Sequence, residues 1–162
     1  PPRSTLFPYT TLFRSYHIYN RVNRKELIFR DSKDYLRFLS SMERFSWSYS
    51  IYLYYYCLMP NHFHMIINSG SNPTEITSYM HRFMTSYCVY FNIKYHLVGR
   101  LFQGEYRSTT IRTEESLKKV REYLDQNPVR AGLVARPQDY RWLGHATGQA
   151  EKTPRASSTK NP

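Results

Sequence analysis

Cysteine is scarce in this chain, and its scarcity narrows the field. Of 162 residues only Cys57 and Cys88 are cysteines, and no Cys-x-x-Cys pair occurs. A disulfide framework or a zinc ribbon needs more thiols at closer spacing, so neither is expected. No apolar stretch approaches the roughly 20 residues that span a bilayer, and no secretory leader is visible. No internal repeat is apparent. The expected setting is a reducing cytoplasm, with no membrane partner. Acids are also few: 12 Asp and Glu against 23 Lys and Arg, for a net charge of +11. A field of that sign attracts polyanions, and nucleic acid is the default candidate.

Aromatic rings are abundant by contrast. Sixteen tyrosines help bring the aromatic share to 17%. Rings interleaved with basic side chains suit stacking on unpaired bases, although most of these tyrosines are expected in strands or core. The length is enough for one domain with a sizeable core. The two ends read differently from the middle. Residues 5–15, TLFPYTTLFRS, look like the translation of a common sequencing adapter, so residues 1–15 are read as a non-native leader and left out of fold reasoning. Residues 148–162, rich in Ser, Thr, Lys and Pro, read as a disordered tail. The domain is therefore expected over residues 16–147.

Within it, residues 16–22 favour a strand. Asp31 is placed to cap a helix reaching about Trp47, whose apolar positions Tyr35, Phe38, Leu39, Met42 and Phe45 keep helical spacing. Residues 51–58 form a continuous apolar and aromatic run, expected as a central strand. Residues 62–68 form the next strand. Pro73 opens a long helix to about Tyr95, and residues 106–112 suit a fourth strand. Thr113 caps a last helix whose first turn carries Glu114 and Glu115, and Pro128 is expected to end it. The order β-α-β-β-α-β, then α, is that of an α+β, ferredoxin-like split βαβ fold. It has one antiparallel sheet with helices on one face, plus a C-terminal helix.

The most informative stretch is Met59-Pro-Asn-His-Phe-His64. Pro60-Asn61 marks a turn between two strands. Side chains alternate along a strand, so His62 and His64 share a face and Phe63 points the other way into a core. Two adjacent imidazoles suit a metal ion with open coordination positions; they also suit an ordinary polar sheet face. On the last helix Tyr123 and Asn127, four residues apart, share a face at the margin of the stripe Leu117, Val120 and Leu124, while Lys118, Glu122 and Asp125 are expected to point away. From that margin Tyr123 can react, and Asn127 can offer an amide oxygen to an ion on the histidines. Equally, Tyr123 can simply pack and Asn127 can finish the helix.

Four segments together resemble a known family: Tyr16-His-Ile-Tyr-Asn-Arg21, Met59-Pro-Asn-His-Phe-His64, Gly99-Arg-Leu-Phe-Gln-Gly104 with Tyr106-Arg-Ser, and Tyr123-Leu-Asp-Gln-Asn-Pro-Val-Arg-Ala-Gly132. In this order and spacing, over about residues 16–143, they resemble the single-tyrosine HUH transposases, above all the REP-associated tyrosine transposases. Val22 departs from the pattern, standing where many relatives carry glycine. The resemblance implies a catalytic HUH domain. Tyr123 would be the nucleophile, with His62, His64 and Asn127 as ligands of a divalent ion, Mg²⁺ or Mn²⁺. It implies DNA transposition through cleavage and rejoining of single-stranded hairpin DNA by way of a 5′-phosphotyrosine, by a monomer or a homodimer. A phenol must shed its proton on attack, and no base is legible in the sequence. Arg100, Arg107, Arg121 and Arg130 are candidate phosphate contacts, or equally solvated cations. Two readings compete with the enzyme: a non-catalytic module binding single-stranded nucleic acid on the same fold, and a structural metal-binding domain.

Overall fold

A computed structural model describes residues 15–22, 26–70 and 72–146. The expectations for the leader up to residue 14 and for the tail from residue 148 lie outside the described residues. The elements follow the expected order: β1 Ser15–Arg21, α1 Ser32–Ser48, β2 Tyr52–Met59, β3 His62–Asn68, α2 Glu75–Tyr95, β4 Arg107–Ile111 and α3 Glu114–Arg130. A 3-10 turn, Pro137–Asp139, and a two-residue strand, β5 Leu143–Gly144, complete it. Ser15, assigned to the leader in the sequence, is a strand residue paired with Asn68 and Ile111. Among the described residues no helix is long and apolar enough to cross a membrane.

All described pairings are antiparallel, in the order β4-β1-β3-β2-β5. The middle strand is therefore β3, not β2. Strand β2 escapes the edge only because β5 pairs with Tyr56 and Cys57. Helices α1 and α2 cover one face, and α3 packs on the other beside β2. On β3 the alternation is strict: Phe63, Met65 and Ile67 enter the large core under α1 and α2, while Ile66 joins a smaller core with Cys57, Met59 and Leu124. Strand β2 has an irregular register between Leu53 and Tyr55. This bulge switches parity, so Leu53 faces the large core while Tyr55, Cys57 and Met59 face α3. Burial on both faces explains why residues 51–58 read as one unbroken apolar run.

Capping fixes the helices. Asp31 accepts hydrogen bonds from the Lys33 and Asp34 amides in a capping box. The side chain of Asp34, fully enclosed, accepts from the Tyr90 and Tyr95 hydroxyls and pairs with Lys94 at 2.7 Å, tying the start of α1 to the end of α2. Thr113 and Ser116 form the capping box of α3. Pro128 does not end α3. It lies in the last turn, and the helix runs to Arg130 before Gly132 takes a left-handed conformation (φ 69°) and Leu133 donates back to the Pro128 carbonyl.

Candidate active site

Strand pairing builds the site. Antiparallel register sets Tyr19 opposite His64 and Arg21 opposite His62 on β1 and β3, and Tyr19 opposite Arg107 on β4. Period-two alternation then puts His17, Tyr19 and Arg21 on the same face as His62 and His64. This face opens toward α3. The turn at Pro60-Asn61 also anchors neighbouring chain, since the Pro60 and Asn61 carbonyls accept from the amides of Ile28 and Val22. The histidine pair therefore starts on a well-held backbone.

His17 Nε2 lies 3.0 Å from His64 Nδ1, in a buried hydrogen bond. The Asn61 Oδ1 accepts from His62 Nδ1 at 2.7 Å. The His62 and His64 rings are 5.1 Å apart and nearly perpendicular. Burial pushes all three imidazoles down: His17 to about 4, His62 to about 4 with help from the Arg21 charge, and His64 to about 3 with help from His17 and His62. They are neutral at pH 7, the form in which imidazole donates a lone pair.

Helix α3 delivers the remaining groups. Tyr123 is 42% exposed, with its ring 5.7 Å from that of His64 and 6.4 Å from that of His17. Arg130, about two turns on, lies over the Tyr123 ring at 5.6 Å. Asn127 is buried, and its Nδ2 has no hydrogen-bond partner among the described residues. With Nδ2 unpartnered, turning the Asn127 amide breaks no hydrogen bond at that atom and would present Oδ1, the amide's metal-binding atom, in its place. Among the described residues no cluster of three or more His, Cys, Asp and Glu side chains suits a metal. Two neutral imidazoles and an amide oxygen are donors whose chemistry fits a divalent ion.

The structure brings His62, His64 and Tyr123 together, with Asn127 one turn from Tyr123 on the same helix. Arg107 extends the same sheet row past Tyr19. Arg121 is half buried with its guanidinium 4.8 Å from the Tyr55 ring, so it is held against β2. Arg100 is exposed in the loop after α2, and no described contact joins it to the histidines. Asp125 does not point away from the sheet: it accepts a 2.6 Å hydrogen bond from the Tyr55 hydroxyl. His17, Tyr19 and Arg21 join the site beyond the residues expected from sequence: their period-two spacing gives them one face of β1, and only the pairing of β1 with β3 brings that face to the histidines. A cavity of about 450 Å³ beside Met80, His81, Met84 and Tyr106 lies against α2, the helix on the other face of the sheet.

Fold and face together define an antiparallel-sheet domain with a histidine cluster answered by one exposed tyrosine from a helix. A family model described as "Transposase IS200 like" matches residues 12–127, and the chain belongs to that family of transposases. The fold is that of a REP-associated tyrosine transposase whose structure was determined bound to a REP hairpin, at 16% identity and a TM-score of 0.68, covering 86% of this chain and 81% of that one. A candidate transposase from Deinococcus radiodurans R1 is similar at 13% identity and a TM-score of 0.50, covering 69% of this chain and 88% of its own. No curated protein matches the sequence significantly.

Proposed function

We propose that this protein cuts and rejoins single-stranded DNA at a hairpin, with Tyr123 as nucleophile and His62, His64 and Asn127 holding a divalent ion, Mg²⁺ or Mn²⁺. The observation that carries the reading is the half-exposed Tyr123 ring held 5.7 Å from that of His64, on a helix that also brings Asn127. The structural neighbour bound to a REP hairpin supports hairpin DNA as the partner. When bound, the ion would polarise the scissile phosphate and offset the charge developing on it.

The chain's own residues supply the rest. The Tyr123 Oη attacks phosphorus and gives up its proton. The bond from phosphorus to the 3′ oxygen of the preceding nucleotide breaks, and that oxygen leaves as a hydroxyl. A 5′-phosphotyrosine remains, and a 3′-hydroxyl from another strand reverses the step to join new ends. Arg130 sits beside the ring that would carry the phosphate. Arg21 and Arg107 lie on the histidine face, suited to phosphates on either side. Arg100 and Arg121 would act at longer range, Arg121 chiefly by holding α3.

Labelled single-stranded hairpin DNA incubated with the protein and Mn²⁺ should yield an adduct that survives denaturation. Tyr123→Phe and His62→Ala should each abolish it. An adduct undiminished in Tyr123→Phe would refute the assignment, and binding without any adduct would favour the non-catalytic module.

A further inference from the structure

The two histidines proposed as ligands are wired alike. Each has its Nδ1 occupied by a neighbour, His62 by the Asn61 Oδ1 at 2.7 Å and His64 by His17 Nε2 at 3.0 Å. An amide oxygen only accepts, so His62 must carry its proton on Nδ1, which leaves Nε2 with its lone pair. The His17–His64 contact allows two arrangements, because one proton must lie between the nitrogens. If His17 donates, the His64 proton sits on Nε2 and both His64 nitrogens are closed to an ion. If His64 donates from Nδ1, its Nε2 is free. Only the second arrangement gives two matching Nε2 donors on one face.

We propose that Asn61 and His17 are positioning residues that fix the tautomer and ring orientation of His62 and His64, so that both turn Nε2 toward one divalent ion. The inference rests on the reading that these two histidines hold the ion. Its further content is that the site depends on a third histidine on another strand and on the turn asparagine. Neither needs to touch DNA or metal. Register explains how His17 reaches: it lies one pleat along β1 from Tyr19, the direct partner of His64, so it approaches diagonally on the same face. Its ring lies 5.2 Å from that of His64, at 25°. Outer partners of this kind typically contribute about 10- to 100-fold in metal affinity.

The test uses the full chain without DNA and follows Mn²⁺ binding by electron paramagnetic resonance of the free ion. His17→Phe and Asn61→Leu remove the acceptor while keeping bulk, and each should weaken Mn²⁺ by about 10-fold or more. His17→Gln and Asn61→Asp restore an acceptor oxygen and should recover most of the loss, which a purely structural role would not produce. Circular dichroism and Tm identify any variant that fails to fold; the Gln and Asp variants then carry the comparison. Wild-type affinity in folded His17→Phe and Asn61→Leu would overturn the inference alone, as would Gln and Asp variants as weak as the apolar ones. Absence of Mn²⁺ binding by the wild type, or its survival in His62→Ala, would overturn the metal site and the inference with it.

Discussion

Two tyrosines stand near His64, and their surroundings separate them. Tyr19 is half buried on β1, between His17 at 5.3 Å and His64 at 5.5 Å, ring to ring. It is wedged into the sheet row, whereas Tyr123 reaches in from a helix and keeps much of its surface open. A nucleophile needs a clear approach to phosphorus. Tyr19→Phe should therefore leave the covalent adduct within a few-fold of wild type, measured on denaturing gels. At this scale the shared face of His62 and His64, and that of Tyr123 and Asn127, were legible because each depends only on local period: alternation on a strand, or four residues on a helix. His17 was not. Its contact with His64 depends on β1 pairing with β3, strands separated by a helix and a strand, and no local pattern encodes that register.

Elements decide whether the tyrosine meets the histidines at all. Helix α3 is fastened to the sheet by Leu124 in the small core, by the Tyr55–Asp125 hydrogen bond and by Arg121 over the Tyr55 ring. A hydrogen bond to a charged group contributes about 1.5–3 kcal/mol. Tyr55→Phe should lower unfolding stability by that order in urea titrations. It should also slow adduct formation, because Tyr123 lies two residues from Asp125, while leaving the far-side network at Asp34 untouched. The helix itself was readable from its caps and stripe; its tether was not. Asp125 falls on the flank of α3 opposite Tyr123, where its angle alone suggests solvent, and only the length of the Tyr55 side chain closes the gap. Strand β5, two residues long, leaves no periodic signal, so the interior position of β2 could not be traced to it. The bulge in β2 was hidden for another reason: with both faces buried, a switch in parity does not alter an apolar run.

For the whole molecule, the burial that keeps the three imidazoles neutral makes the fold sensitive to acid. His17, His62 and His64 have folded-state pKa values pushed down to about 4, 4 and 3. Above pH 6.5 they are neutral both folded and unfolded and contribute no pH dependence. Between about 6.5 and 4 the unfolded chain takes up protons that the folded one refuses, so stability falls on acidification. A single fully affected group contributes about 1.4 kcal/mol per pH unit in that window. The melting temperature should hold from pH 8 to 7 and decline from pH 6.5 to 4. His17→Gln should flatten the decline, and saturating Mn²⁺ should oppose it. Global architecture was the most legible layer. The order of strands and helices follows from hydrophobic period and caps, and it admits few antiparallel arrangements.

The proposed linkage of Tyr123 to DNA can be located directly. Trypsin separates the two candidate tyrosines, releasing Tyr19 on the peptide Ser15–Arg21 and Tyr123 on the peptide from Glu122 to Arg130. Mass spectrometry of the nuclease-trimmed, trypsin-digested adduct should find a 5′-nucleotide phosphate on the Tyr123 peptide. A nucleotide on the Tyr19 peptide, or on any residue other than Tyr123, would exclude Tyr123 as the nucleophile.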